Sequence, residues 1–535
     1  MPRHAALATV LFALLSGCGG DDAPSQTGTA GCSGASCSTP IVDPTPPAPP
    51  PSTDTPAPVT RLCPTELDYN TTYTGGSAGG EYIKVSFDTT SQRYRMTFVA
   101  SAVPTAVGQI NNTRAGLTIE GDFTHPTTLP SAEQNRCAFV LQNGKTQDGS
   151  YTVTINPADP PVLFSGFGLV TGGVPGASMQ FDGVTLLGNL GAVPARTFDS
   201  FPFIGFAETE TDLSQVAGRF HVVGMYVTPQ GSSYQTASPQ GWEPYPANWT
   251  ETLNADGSCS PEGTGYSCAT TGTPWALRQN LDSSADNVFV SRSVSASSPY
   301  TPVGTSQPIV LLAPSSAQGI MIVGKVGNQR IPVIVRVGAS NVPLNAGDLL
   351  NTVIDGQVGL ALLTPATALQ ADAFDGKFVG VSSAAICGKV DFNGSSGAPA
   401  VSTGVFDASV DHPDLPGHYS GTFFTPDAGN CLDGTSTSSP GAIYVGNAFN
   451  GASGVQAGAT ATSMVPSLSL DYAQTIPGKV NVSALQAFNT QDGSGDVALF
   501  NAGDAGVMVK NGPVYALIMN PNTYHPFVQF GMALP

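Results

Sequence analysis

The sequence predicts an all-β protein, built as tandem sandwich, barrel or propeller-like units with a few short helices. Three observations support this fold class. Apolar residues alternate with polar ones at a period of two along much of the chain, as in strands with one buried face. Turn-forming residues recur throughout, with 62 glycines and 45 prolines. Charged residues make up only 11% of the chain, against about 25% in a typical soluble domain.

Hairpins follow from the alternation and from the turn signals between apolar runs. They are predicted to join 81–87 to 93–98, 320–323 to 331–337, and 507–509 to 514–519. A further strand is predicted over 150–155, and short helices over 212–217, 366–374 and 482–488.

A weak internal repeat predicts that the body is modular. Residues 319–322 are Gly-Ile-Met-Ile and residues 506–509 are Gly-Val-Met-Val, and each segment begins nine residues after the start of an apolar strand. We therefore predict a first β unit at 61–208, a second at 209–345, and a third at 365–535 that repeats the second. Chance similarity between alternating strands is the alternative.

The first residues predict export from the cytoplasm. Arg3 precedes an apolar run over 5–15, which is about half of the roughly 20 residues that a membrane-spanning helix needs. A short basic start followed by a short apolar core is typical of a secretory signal peptide, here 1–17.

The residues Leu15-Ser16-Gly17-Cys18 resemble the lipobox of bacterial lipoproteins. The resemblance implies that the Cys18 thiol carries a diacylglycerol, that cleavage makes Cys18 the mature N-terminus, and that its amine is acylated. In that family, proteins retained at the inner membrane have an aspartate directly after the cysteine. Here Gly19 occupies that position, so the resemblance implies that the protein is located at the outer membrane. The body also resembles, in style alone, poorly characterised envelope lipoproteins of β-proteobacteria. An ordinary signal peptide with an incidental Cys18 is the alternative.

Residues 18–60 are predicted to form a disordered tether. The stretch 40–58 holds nine prolines, and large apolar side chains are almost absent from the whole segment. Such a chain cannot bury enough surface to offset its conformational entropy, and it extends at about 3.1 Å per residue. The tether would hold the body several nanometres away from the membrane.

The charge balance disfavours nucleic acid as a partner. The net charge is −19 and no run of lysine or arginine is present, whereas binding to phosphates requires clustered cations. The predicted partners are a membrane, reached through the lipid, and a glycan or an envelope protein. No cofactor is predicted.

Eight cysteines remain after Cys18, and an even count in an exported chain predicts disulfides. The sequence alone leaves about a hundred pairings open. Pairing of nearest neighbours would join Cys32 to Cys37, Cys63 to Cys137, Cys259 to Cys268, and Cys387 to Cys431. A metal site is disfavoured because no pair has CxxC spacing and no histidine lies close to any of them.

One serine matches a hydrolase pattern. Residues 75–80 contain G-x-S-x-G with Ser77 at its centre, and His125 or His221 would be the base. The pattern requires a strand before the serine and a helix after it, whereas here a polar segment precedes it and an alternating strand follows. We therefore predict a glycine-rich loop and no catalytic residues, with a Ser77 hydrolase as the alternative function.

Two further groups are candidate binding residues. Asp411, His412, Asp414 and His418 could hold a divalent metal, although a solvated turn explains them equally well. The aromatic-rich segment 231–275 contains Trp242, Tyr245 and Trp249, which would suit a glycan or a protein hot spot if they are exposed. The alternative is that these rings pack inward.

The function predicted for the protein as a whole is non-enzymatic binding or a structural role.

Overall fold

A computed structural model describes most of the body from residue 61 onward. The described residues are 61–127, 132–155, 157, 160–181, 193–230, 241–262, 270–291, 318–341, 353–370, 373–374, 377–383, 392–393, 398–399, 417–420, 423–426, 442–445, 455–457, 465–484, 488–492, 495–500, 502–519 and 527–534. Residues 60–535 form one compact unit.

The first sheet closes into a barrel. Its strands are β1 Thr72–Ser77, β2 Glu81–Asp88, β3 Arg93–Ser101, β4 Thr118–Thr124, β5 Ala138–Thr146, β6 Thr152–Val153, β7 Val162–Gly166, β8 Leu169–Phe181 and β9 Val193–Phe206, with the helix α1 Ala132–Arg136 between β4 and β5. Antiparallel pairing runs in the order β4-β3-β2-β1-β9-β8-β7-β5, and β4 pairs with β5 to complete the ring of eight strands, with β6 added at β5. All pairs in the ring are antiparallel neighbours, as in an up-and-down barrel.

The second sheet has eight strands and is open. Its strands are β10 Gly218–Gln230, β11 Gly241–Leu253, β12 Cys259–Glu262, β13 Trp275–Gln279, β14 Ala285–Ser291, β15 Gln318–Val326, β16 Gln329–Val337 and β19 Val358–Pro365, while β17 Ala339–Asn341 and β18 Val353–Asp355 pair separately. A 3-10 turn, Leu213–Val216, precedes it and is capped by the Asp212 carboxylate.

The third sheet also has eight strands. They are β20 Lys377–Ser383, β25 Ala442–Val445, β26 Val455–Ala457, β27 Val465–Asp471, β28 Val480–Ala484, β31 Ala505–Asn511, β32 Val514–Met519 and β33 Phe527–Leu534. Three small hairpins accompany it: β21 Phe392–Asn393 with β22 Ala398–Pro399, β23 Gly417–Ser420 with β24 Phe423–Pro426, and β29 Phe488–Asp492 with β30 Gly495–Phe500.

The three sheets share one connection pattern. In each sheet the first strand, β1, β10 or β20, pairs with both the next and the last strand of that sheet. The later strands pair in chain order, except that the two open sheets break between β12 and β13 and between β25 and β26. The two similar segments, 319–322 and 506–509, occupy equivalent positions in the second and third sheets. Met321 of β15 pairs with Phe289 of β14, and Met508 of β31 pairs with Val480 of β28, which in each case is the preceding strand of the same sheet. The second sheet also includes β19, which follows residue 345. Duplication of an ancestral unit stays a prediction.

One apolar core joins the barrel to one face of each open sheet. Alternate residues of a strand point to opposite faces. Ile320 and Ile322 of β15 therefore belong to the barrel's core cluster, while Met321 and Val323 belong to a separate cluster on the other face. The third sheet behaves in the same way: Ala516 and Ile518 of β32 join the barrel core, while Leu517 and Met519 form another cluster. Both open sheets are thus buried on both faces.

The all-β prediction and its three hairpins are confirmed. The hairpins correspond to the pairs β2–β3, β15–β16 and β31–β32. The helix predicted over 482–488 is wrong, because Val480, Val482 and Ala484 of β28 are buried while the residues between them are exposed, which is a period of two.

The remaining local predictions fare unevenly. The short helix at 212–217 is present as the 3-10 turn, whereas the described residues of 366–374 are not helical. The strand predicted over 150–155 shrinks to β6. Helix α1 is not among the predicted helices, since its five residues, four of them polar, have no apolar periodicity.

The glycine run at 75–80 is not a loop, which corrects the prediction. Gly75 and Gly76 lie inside β1, and only the turn to β2 is irregular. A Cβ on Gly75 would lie 2.3 Å from the carbonyl oxygen of Ile204, and one on Gly76 would lie 1.9 Å from Val335 Cγ2. The glycines are therefore needed for close approach, between β1 and β9 and between the barrel and the second sheet.

We expect Gly76→Ala to lower the free energy of unfolding by about 1–3 kcal/mol, the usual cost of overpacking a core. Chemical denaturation should show this as a lower midpoint. The double variant Gly76→Ala/Val335→Ala is the matched control, because it removes the atoms that clash. If the losses of the two single variants simply added, the close contact between Gly76 and Val335 would be refuted.

Candidate functional site

Ser77 lies in a buried polar network and not on a catalytic elbow. It is fully buried, and its Oγ donates a hydrogen bond of 3.3 Å to Glu81 Oε2. Glu81 also accepts from Ser101 Oγ at 2.6 Å and from Arg114, with Nε at 2.8 Å and Nη2 at 2.6 Å. Every bond to this carboxylate comes from inside the protein, so Ser77 serves to satisfy a buried charge.

Arg114 carries the network across the barrel. Both Arg114 and Glu81 have side chains with 0% exposure. The Arg114 Nη1 donates to the carbonyl oxygens of Pro175 and Gly176 in β8, each at 3.1 Å, and the guanidinium lies 4.4 Å from the centre of the Phe98 ring. Burial acts to lower the pKa of Arg114, but the adjacent Glu81 raises it above its usual value, so the guanidinium stays charged.

Neither predicted base reaches Ser77. His125 Nδ1 donates to the Ala138 carbonyl oxygen at 2.9 Å. His221 Nδ1 lies 2.8 Å from Thr250 Oγ1, and His221 Nε2 lies 2.7 Å from the Pro477 carbonyl oxygen. The described residues therefore provide Ser77 with a carboxylate neighbour and no imidazole neighbour, and its burial denies access to a substrate.

We expect Arg114→Met to lower the free energy of unfolding by about 3–5 kcal/mol, because it leaves the Glu81 carboxylate buried without its partner. The double variant Glu81→Met/Arg114→Met is the control and should recover much of that loss. Denaturant midpoints measure both changes. A loss below about 1 kcal/mol for the single variant would contradict a buried ion pair.

A second buried carboxylate fastens the barrel to the second sheet. Asp286 of β14 accepts from the Tyr82 hydroxyl at 3.1 Å, from Lys84 Nζ at 2.8 Å and from Arg278 Nη1 at 2.8 Å. Burial acts to raise the pKa of Asp286, but the bonds from Lys84, the Asn287 amide and Arg278 lower it overall. Tyr82 and Lys84 belong to β2, so this cluster has a structural role at the seam.

His221 holds the seam between the second sheet and the segment 474–479. Because the Pro477 carbonyl can only accept, Nε2 carries the hydrogen and Nδ1 accepts from Thr250. Nearby Lys479 Nζ donates to Asn248 Oδ1 at 2.8 Å. Burial, with a smaller contribution from the charge of Lys479, lowers the pKa of His221 from 6.5 to about 4, against the opposing effect of the bond to Pro477. Burial also lowers the pKa of Lys479 to about 8.

The His221 seam predicts acid sensitivity. The folded state binds the His221 proton less readily than the unfolded state, so stability falls as the pH drops from 6.5 towards about 4. The expected loss is about 3 kcal/mol at most. The slope of unfolding free energy against pH should flatten in His221→Gln. Thr250→Val, which keeps the imidazole, should retain the slope, and an unchanged slope in His221→Gln would refute the assignment.

The aromatic candidates are only partly described. Trp249 is buried in β11, 7% exposed, and its indole Nε1 donates to Glu251 at 3.0 Å. Burial raises the pKa of Glu251. The backbones of Trp242 and Tyr245 lie in β11, paired with Pro229 and Tyr226, while their side chains lie outside the described residues. Ligand binding by these three residues stays a prediction, although Trp249 has no surface position.

A clamp fixes the start of the body to the barrel. We call residues 62–67 the clamp segment. Cys63 is bonded to Cys137, with Cα atoms 5.8 Å apart. The Leu62 amide donates to Glu133 Oε1 at 2.9 Å, and Arg136 donates to the carbonyl oxygens of Cys63 and Pro64 at 2.9 and 2.7 Å. The predicted Cys63–Cys137 disulfide is confirmed.

The other cysteine and metal predictions lie largely outside the described residues. Cys259 is disulfide-bonded, while its predicted partner Cys268 is not described. Also outside the described residues are Cys32, Cys37, Cys387 and Cys431, the metal candidates Asp411, His412 and Asp414, and the side chain of His418 in β23. Among the described residues, the Cys63, Cys137 and Glu133 ligand atoms cluster within 4.8 Å, but both sulfurs are committed to the disulfide.

A cleft of about 270 Å³ opens beside the clamp segment. Its walls come from the clamp segment, from the β2–β3 turn and from the region around α1, and include Glu66, Thr89, Thr90, His125 and Arg136. We call it the clamp cleft. The His125 ring packs edge-on against Phe123, with centres 5.5 Å apart.

Family membership follows from the sequence. The family described as "Protein of unknown function (DUF2957)" matches residues 93–532. The chain belongs to this family. The matched region runs from β3 to β33, so membership in DUF2957 covers strands of all three sheets. A search of the curated proteins finds no match.

Solved structures of transferrin binding protein B show a distant likeness. A single-site variant of this vaccine antigen from Haemophilus parasuis is 8% identical, with a TM-score of 0.18 over 87% of this chain and 67% of that one. The intact Ap-TbpB, with N and C lobes, is 8% identical, with a TM-score of 0.21 over 86% of this chain and 67% of that one. Scores this low carry no argument about function.

In the described part of the chain, no helix has the length and apolar character needed to cross a membrane.

Sequence reasoning missed the two buried carboxylate clusters. Glu81 and Arg114 are 33 residues apart, and Lys84 and Asp286 are 202 apart. Nothing local marks either pair. The available signal was compositional: in a chain with 11% charged residues, a glutamate within the otherwise apolar start of β2 is unusual.

Proposed function

We propose that the protein is a lipoprotein of the outer membrane, held through Cys18, whose β body serves as a non-enzymatic binding or structural element. The clamp segment is the observation that carries the proposal. It lies directly after the predicted tether. A disulfide, a hydrogen bond from the Leu62 amide to Glu133 and the hydrogen bonds of Arg136 fix it to the barrel. A covalent joint at this point suits a chain that is anchored at one end.

The disulfides support an address outside the cytoplasm. Cys63, Cys137 and Cys259, the cysteines in the described part of the chain, are all disulfide-bonded. Disulfides persist in oxidising compartments and are rare in the reducing cytoplasm. This agrees with the signal peptide and lipobox that the sequence predicts.

The placement of the polar groups supports binding rather than catalysis. Ser77 is committed to Glu81, Asp286 is committed to Lys84 and Arg278, and the His221 ring is bonded at both nitrogens. Each of these three groups, which a hydrolytic site could use, is bonded inside the protein. A glycan, a cell-wall component or an envelope protein are the ligands we propose.

Acylation can be tested in the producing cell. Wild-type protein should incorporate an alkyne-tagged palmitate and sediment with outer membranes. Cys18→Ala should lose both properties, because several acyl chains each contribute about 0.8 kcal/mol per buried CH₂. Cys32→Ala is the matched control, since it removes a cysteine of the predicted tether but leaves the lipobox intact. Unlabelled wild-type protein, or equal labelling of Cys18→Ala, would overturn the proposal.

A further inference from the structure

The clamp cleft is a preformed, solvent-open cavity. Its clamp wall is fixed at one end by the Cys63–Cys137 disulfide and at the other by Leu67, whose amide donates to Thr89 Oγ1 at 3.0 Å. The Thr89 amide returns a bond of 3.0 Å to the Leu67 carbonyl oxygen. A wall fixed at both ends loses little conformational freedom when a ligand binds, which favours binding.

The walls of the clamp cleft present acceptors and hydroxyls. Because Nδ1 of His125 donates to the Ala138 carbonyl, the neutral ring keeps its lone pair at Nε2, and none of the described residues bonds to that nitrogen. Glu66 is exposed and adds a carboxylate, and Thr90 is exposed and adds a hydroxyl. The ligand must therefore supply hydrogen-bond donors.

Among the described residues that line the cleft, Arg136 is the one cation, and its guanidinium is already bonded. Arg136 donates to Glu133 at 2.7 and 3.0 Å and to two carbonyl oxygens of the clamp segment. With that guanidinium neutralised and Glu66 nearby, the cleft disfavours phosphates and carboxylates. A buried apolar ligand is equally disfavoured, because His125, Thr89 and Arg136 are only half-buried and the cleft stays wet.

We propose that the clamp cleft binds one or two units of a neutral saccharide. Sugar hydroxyls provide the donors that His125 Nε2 and Glu66 require, and they accept from threonine hydroxyls. The cleft, at about 270 Å³, is slightly below the range of about 300–1,000 Å³ for drug-sized ligands. It therefore suits a single ring or a disaccharide. The choice of a glycan over another polyol depends on the envelope location proposed above.

The experiment uses the mature full-length protein in detergent, with N,N′-diacetylchitobiose as the neutral probe and glucuronic acid as its anionic counterpart. Saturation-transfer NMR should show contact with the disaccharide at millimolar concentration and none with the acid. Calorimetry should show about three- to tenfold weaker binding by His125→Phe, which keeps the edge-on packing but removes the Nε2 acceptor along with the Nδ1 bond to Ala138.

Control variants keep the test decisive. Leu281→Ser, at the fully exposed tip of the β13–β14 hairpin, should bind as wild type does. If wild-type protein binds no neutral sugar, or if His125→Phe binds equally well, the saccharide site is wrong. Such a failure leaves the acylation of Cys18 untouched, because labelling with palmitate is measured separately. Preference for glucuronic acid would also overturn the proposal.

Discussion

The rest of the structure depends on one constraint: three β-sheets share a single apolar core. A barrel can close alone, but here β15, β16 and β19 of the second sheet and β31 to β33 of the third contribute residues to the barrel's core cluster. Close approach then dictates glycine at position 76, where a Cβ would overlap Val335. Each Å² of apolar surface that is buried stabilises the folded state by roughly 25 cal/mol, so such a shared core is the dominant stabilising contribution.

Three buried carboxylates of the described residues, Asp286, Glu81 and Glu210, tie strands of the body together. Asp286 joins β2 to β13 and β14, Glu81 and Arg114 join β2 to β8, and Glu210 binds Arg330 at 2.8 Å just before the second sheet. All three carboxylates are buried, but only Arg114 is a fully buried cation, since Lys84, Arg278 and Arg330 keep 21–31% of their side chains exposed. In the part of the chain that the structure describes, the clamp cleft is a cavity where the Nε2 of His125 and the carboxylate of Glu66 face solvent.

The sequence predicted the parts of the fold that are local. Alternation and turn signals predicted the hairpins β2–β3, β15–β16 and β31–β32, because in each hairpin the apolar residues of both strands are buried on one or both faces. The helix predicted over 482–488 was wrong, because the apolar run there is too short for its length to distinguish a strand from a helix. Prediction from the sequence also failed at Gly75 and Gly76, since a glycine run indicates a loop unless the neighbouring backbone is known. The polar clusters and the clamp cleft join residues distant in sequence, beyond the reach of local patterns.

The most direct test of the shared core is native-state hydrogen exchange, followed by mass spectrometry at rising denaturant. If one core holds the body together, amides of β2, β16 and β32 should converge on one unfolding free energy, because no sheet can open without exposing the barrel's apolar residues. If β2 stays protected at a denaturant concentration at which β16 and β32 exchange freely, the barrel would be an independent domain and the shared core would be refuted.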